Sequence, residues 1–251
     1  MGKNDFVNTI NQNLHNRGVT VTSRLKIINK TLRKEPGADP EILKILNEVK
    51  YDTVDLYQRL YMLLGQEKFE KKMDQFYTPS SIGSFLCSLL IKSKSIIDPS
   101  CGTGDLVIEY DSKKIELWDI SENVCDLCKF NFELRDKHKP SIHTKDSLLD
   151  SNYKNGSYNY CFLNPPFGSS TVLTNKEVLS QYEFGKGRIK QELGILFIER
   201  SLNLLKKDGV LFAIIPNGYL GNTKDLFLRK YIIENYKLLG ILELPQNTFK
   251  R

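Results

Sequence analysis

Two patterns of apolar positions divide the chain. Through residues 1–75 apolar side chains recur at helical spacing, with almost no strand signal. Ile42, Ile45, Leu46, Val49, Leu56, Leu60, Leu63 and Leu64 form one such stripe. Asp39 precedes it as an N-cap, with Pro40 in the first helical position. Glu35-Pro36-Gly37-Ala38 breaks the pattern and reads as a turn between helices. From Phe76 onward, short apolar or β-branched runs alternate with helix-like stretches. The runs are Ser95–Asp98, Ile115–Asp119, Ile142–Asp146, Tyr158–Leu163, Val210–Ile215 and Leu238–Leu244. Ser121–Lys137, Gln191–Lys206 and Thr223–Tyr236 carry helical spacing. The alternation predicts a helical segment over 1–75 and an α/β domain over 76–251. That domain has a mainly parallel, twisted sheet with helices on both faces. Ligands of such sheets bind beyond the carboxyl ends of the strands, so chemistry is sought there.

Composition narrows the class without choosing a function. Forty per cent apolar and 26% charged residues are ordinary for a globular chain. Lys and Arg number 36 against 30 Asp and Glu, a net charge of +6. That balance permits a phosphate-bearing partner and requires none. The apolar run Val210–Ile215 falls far short of a membrane span of about 20 residues. Met1 to Phe6 has no signal core, and five irregularly spaced cysteines make no secreted disulfide framework. A cytoplasmic protein without membrane attachment is expected. Cys125-x-x-Cys128 with His138 and His143 is set aside as a zinc site. The gap before His138 is shorter than a finger's usual ~12 residues, and both cysteines fall in a helix. No metal is expected.

The first run leads into Asp98-Pro99-Ser100-Cys101-Gly102-Thr103-Gly104-Asp105. Two glycines let backbone N–H groups approach a ligand where a Cβ would collide. Asp119 ends the next strand 21 residues beyond Asp98. An acid at that offset meets the ribose hydroxyls of an adenosine ligand. Asp146, ending the third strand, could accept from an adenine amino group or serve as a helix N-cap for the segment after Ser147. A dinucleotide wants a third glycine, but Val107 stands there and Asp105 opens the following segment. An acidic loop suits a ligand with a positive centre and no phosphate. S-adenosyl-L-methionine, carrying a sulfonium and an ammonium, fits.

The fourth strand ends in Asn164-Pro165-Pro166-Phe167. Consecutive prolines stiffen the backbone and remove two N–H donors. The Asn164 side chain and the Pro165 carbonyl then form a rigid pair of acceptors for one planar NH2 group, and Phe167 offers a ring for stacking. Asparagine cannot act as a general base, so the proton leaves by another route. Cys161 lies within the strand and reads as core.

These segments resemble the DNA adenine-N6 methyltransferases of the gamma class, the group of the modification subunits of type I restriction-modification systems. The resemblance rests on Gln75-Phe76-Tyr77-Thr78-Pro79, the Asp98–Gly104 loop, Trp118-Asp119, Asp146-Ser147, Asn164–Phe167 and Leu205–Gly218. It implies a Rossmann-like S-adenosylmethionine-dependent fold with S-adenosyl-L-methionine as cofactor. Tyr77, Thr78, Pro79, Asp98, Pro99, Cys101, Gly102, Gly104, Asp119, Asp146 and Ser147 are its implied binding residues. Asn164, Pro165, Pro166 and Phe167 are implied to hold the extruded adenine of double-stranded DNA. In relatives the segment ending at Phe249 leads into a last antiparallel strand, so that strand and a target-recognition domain are expected to be missing here. A specificity subunit or another chain would then read the DNA. RNA or protein-glutamine methylation by the same turn, and a truncated subunit that binds without turnover, are the competing readings. The basic stretch Gly168–Lys190 reads either as a disordered surface loop or as a mobile flap on DNA phosphates.

Overall fold

The computed structural model describes residues 3–47, 78–92, 94–134, 139–149, 154–167, 171–245 and 248. The chain divides into two compact units, residues 1–73 and 74–251. In the first, α1 (Lys3–Asn16), α2 (Val21–Leu32) and α3 (Pro40–Asn47) bury Ile10, Leu14, Ile28 and Ile42. Asp39 caps α3: its Oδ1 accepts from the N–H groups of Glu41 and Ile42 at 3.1 Å. The Arg17 guanidinium, 2.7 Å away, holds the Asp39 carboxyl below its ordinary range. The apolar stripe from Val49 to Leu64 lies outside the described residues.

The second unit opens with α4 (Ser80–Ser88), β1 (Ile96–Asp98), β2 (Ile115–Asp119), α5 (Glu122–Leu134), β3 (Ser141–Thr144) and β4 (Tyr158–Leu163). An excursion follows, made of β5 (Val172–Leu173), α6 (Lys176–Leu179) and β6 (Gln191–Glu192). Then come α7 (Leu193–Leu204), β7 (Leu205–Ala213), α8 (Asn217–Gly221), a short 3-10 turn and α9 (Leu226–Asn235). Five strands form one parallel sheet in the order β3-β2-β1-β4-β7, so all their carboxyl ends share an edge. Each connection crosses back to the same end of the sheet, through α5 between β2 and β3 and through the excursion and α7 between β4 and β7. One face packs α4 and α5 against Ile96, Leu117 and Phe162, and a second cluster gathers α7 and α9 around Leu163, Leu196 and Phe184. Among the described residues no helix is long and apolar enough to cross a membrane.

Three expectations need correction. The expected strand at Leu238–Leu244 is irregular, with Leu238, Leu239, Ile241 and Leu242 exposed. An apolar run becomes a strand only against a partner's ladder, and among the described residues no strand pairs with it. The fifth sheet strand starts at Leu205 rather than Val210 and takes the residues expected to end the preceding helix. The stretch 171–190 is neither disordered nor a loose flap. It buries Val178, Leu179, Tyr182 and Phe184, and the Glu199 carboxylate accepts from the N–H groups of Glu183 and Phe184 at 2.7 and 2.8 Å.

Candidate active site

The site is assembled along the shared carboxyl edge. After β1, the chain turns through Gly102 at φ +54° and Gly104 at φ +85°, both in the left-handed region that favours glycine. A Cβ on Gly104 would lie 2.8 Å from the Cys128 sulfur and 2.9 Å from the Phe132 ring. Nothing lies within 4 Å of the position a Gly102 Cβ would take, so backbone lines an open face there. Asp119, at the end of β2, accepts from Gly102 N at 3.1 Å and from Ser121 N at 2.9 Å. It therefore shapes the loop while standing beside it. Ser147 Oγ donates to the buried Pro99 carbonyl at 2.5 Å, tying the segment after β3 to the same loop.

Three buried carboxylates, Asp98, Asp105 and Asp119, converge on this loop. Burial, reinforced by the neighbouring charges of Asp119 and Asp105, pushes the Asp98 carboxyl up to about 8. The N–H of Ser100, bonded to Asp98 Oδ1 at 3.0 Å, opposes that shift only in part. Burial also raises Asp119, against N–H donors from Ser121, Gly102 and Ile120. Such a cluster favours a cationic ligand. The donor set fits S-adenosyl-L-methionine: carboxylates for its sulfonium, ammonium and ribose, and open backbone at Gly102 for close approach. Asp146 lies two residues beyond the end of β3 rather than ending it, and its Oδ1 accepts from Leu148 N at 2.9 Å in a turn, not at the start of a helix.

The Asn164–Phe167 turn begins where β4 ends, between β1 and β7. Pro165 is buried, and Asn164, Pro166 and Phe167 are half-buried. Asn164 Nδ2 donates to Thr78 Oγ1 at 2.9 Å, which fixes the amide's orientation and turns its oxygen the other way. Thr171 holds the far end of the turn, its Oγ1 donating to the Phe167 carbonyl at 3.1 Å. Thr78 is buried, and Pro79 stands at the N-cap of α4. The segment upstream of the sheet, implied to bind the cofactor, thus reaches the Asn164 turn directly through Thr78. Tyr77 lies outside the described residues. Cys101 is buried beneath the loop and its N–H bonds to the Trp118 carbonyl at 2.9 Å, a structural placement.

Three contributors escaped the sequence reading. Asn131, fully buried on α5, donates to the Thr103 carbonyl at 3.0 Å and pins the glycine loop from below. A polar residue on the same helical stripe as Val124 and Cys128 was its signal. Ile120 is exposed directly after Asp119, an apolar side chain at the carboxyl edge of the sheet. Gly83 lets α4 lie against the loop: a Cβ there would sit 2.2 Å from the Asp105 carbonyl oxygen. Gly83→Ala is accordingly expected to lower stability by about 1–3 kcal/mol and to weaken cofactor binding. Urea titration and calorimetry check both, and an unchanged midpoint would deny the close approach.

Fold and loop together define a Rossmann-like S-adenosylmethionine-dependent methyltransferase domain. The profile of the N-6 DNA Methylase family matches residues 52–251, and the chain belongs to that family. S-adenosyl-L-methionine is the cofactor of this class. Among relatives, the type II methyltransferase M.VspI of a Vibrio species is 26% identical over 222 residues, covering 82% of this chain and 53% of its own. The type I restriction enzyme MjaIX methylase subunit of Methanocaldococcus jannaschii is 27% identical, covering 78% of this chain and 39% of its own. This chain thus spans about half or less of the length of these relatives. A solved class I S-adenosylmethionine-dependent methyltransferase from Listeria monocytogenes superposes with a TM-score of 0.72 at 19% identity, covering 99% of this chain and 82% of that one.

Proposed function

We propose that the chain is the catalytic part of a DNA adenine-N6 methyltransferase, acting as the modification component of a restriction-modification system. Its substrate is an adenine flipped out of double-stranded DNA in the cytoplasm, and a specificity subunit or another chain supplies target recognition. The observation that carries this reading is the Asn164–Phe167 turn, set on a central strand and oriented by Thr78.

S-adenosyl-L-methionine, when bound, supplies an electrophilic methyl group. The chain's own residues prepare the acceptor. An exocyclic amine is a poor nucleophile because its lone pair is delocalised into the ring. The Asn164 side-chain oxygen and the Pro165 carbonyl accept its two N–H bonds, which localises electron density on nitrogen and aims the lone pair out of the ring plane. Phe167 stacks on the base and fixes its tilt. Neither acceptor can take the proton, which leaves to water as the new bond forms. Holding the amine in reacting orientation supplies about 7–11 kcal/mol of the barrier at most.

The test offers labelled S-adenosyl-L-methionine with unmethylated DNA, ribosomal RNA and a release factor as acceptors. Label on N6 of DNA adenine is expected. Label on RNA or on protein glutamine alone would replace the reading with one of its competitors. Cofactor binding with no transfer to any acceptor would leave only a non-catalytic subunit.

A further inference from the structure

The excursion between β4 and α7 contains an apolar side chain that the packing of the fold does not use. Ile189 is 79% exposed, more than any other large apolar residue among those described. It stands between Arg188 and Lys190, with Lys186 close by in sequence and Lys176 lining the same cavity. An exposed isoleucine between cations sets an apolar tip within a positive rim, a surface complementary to a partner that is both apolar and anionic.

Its support is rigid. Gly185 N and Lys186 N donate to the Tyr182 carbonyl at 3.0 Å, and Gly185 lies so close to Leu179 that a Cβ would come within 2.3 Å of its carbonyl oxygen. The Arg188 guanidinium stacks 4.3 Å from the centre of the Phe227 ring, which itself packs against Phe184. Lys186 pairs with Glu183 at 2.7 Å, whereas Lys176, Arg188 and Lys190 have no acidic partner among the described residues. A cavity of about 300 Å3 opens beside them, lined by Lys176, Ser180, Gly185, Gly187, Arg188 and Ile189.

The excursion also returns to the Asn164 turn. Leu173 pairs with Gln191 in the β5–β6 ladder, Leu193 N donates to the Thr171 carbonyl, and Thr171 bonds to Phe167. Ile189 is two residues from that ladder, on the segment that leads into it. The geometry points to Ile189 as the side chain that enters the base stack when the target adenine leaves it, with Lys176, Arg188 and Lys190 holding the flanking phosphates. This rests on the DNA-adenine reading above. Removing a base opens a gap in the stack, and an apolar wedge that fills it offsets part of the lost stacking.

The experiment measures methyl transfer to unmethylated genomic DNA, native and heat-denatured, by the unaltered chain, Ile189→Ser and Ile233→Ser. Ile233 is a comparably exposed isoleucine on α9, at 70%. Ile189→Ser is expected to lower transfer to native DNA about tenfold and to lower the native-to-denatured ratio with it, because single strands have little stack to open. Ile233→Ser is expected to match the unaltered chain. Equal loss on both forms, no loss on native DNA, or transfer confined to denatured DNA overturns the wedge while the methyltransferase reading stands. No transfer to either form by the unaltered chain overturns the wedge; the DNA reading then stands or falls on whether a specificity subunit restores transfer. Lys176→Gln with Lys190→Gln is expected to reduce the slope of log affinity against log salt by about 2; an unchanged slope removes the phosphate contacts from the proposal.

Discussion

Asn164→Ala is expected to slow methyl transfer by about 10^2- to 10^3-fold while S-adenosyl-L-methionine affinity stays within about threefold of the unaltered protein. The reasoning is local. Asn164 belongs to the turn after β4, and the glycine loop belongs to the turn after β1. Deleting the amide releases Thr78 and, on the proposed mechanism, removes one of two acceptors for the amine, but it leaves Gly102, Asp119 and their hydrogen bonds in place. Binding measured by calorimetry and transfer measured under single-turnover conditions separate the two effects. Loss of cofactor affinity equal to the loss of rate would make Asn164 a support for the loop rather than a grip on the acceptor.

Asp98→Asn is expected to act in opposite directions on stability and on binding. Folding raises the Asp98 carboxyl to about 8 from its ordinary 3.8. The folded chain therefore keeps a proton that the unfolded chain releases, and stability falls as pH rises from about 4 to about 8. Asparagine carries no such proton. The variant is expected to be more stable than the parent at pH 8 by a few kcal/mol and to approach it near pH 4, read from urea midpoints. A cationic cofactor reverses the balance by favouring the ionised carboxylate. In the parent, affinity should rise with pH up to about 8, with proton uptake by the buffer below that pH. The variant should bind at least tenfold more weakly and release fewer protons, seen by calorimetry in two buffers of different ionisation enthalpy. Identical proton release in both proteins would assign the raised group elsewhere.

What the sequence made legible follows from the length scale of each signal. β1, β2 and β4 were readable because buried parallel strands are short continuous apolar runs, and their ends carry the chemistry. The loop at Gly102 and Gly104 was readable because its backbone demands glycine. Asn131 and Gly83 were not, because each acts across the fold on a carbonyl that no local pattern announces: Thr103 for one, Asp105 for the other. The excursion from Val172 to Glu192 reads as loop because its two-residue strands and one-turn helix are too short for periodicity. Its core-facing Val178, Leu179, Tyr182 and Phe184 are defined only once α7 and α9 supply the other wall. Leu238–Leu244 failed in the opposite sense, having strand composition with no ladder to join among the described residues.

The position of β4 sets who must move. It lies between β1 and β7, and its last carbonyl, on Leu163, still accepts from Ile214 N at 2.8 Å. The two prolines that follow continue this anchored strand without a hinge. An elbow so founded cannot reach into a helix of stacked bases to find its target. On the proposed DNA reading the travel therefore falls to the nucleotide, which swings out to a jaw that stays still.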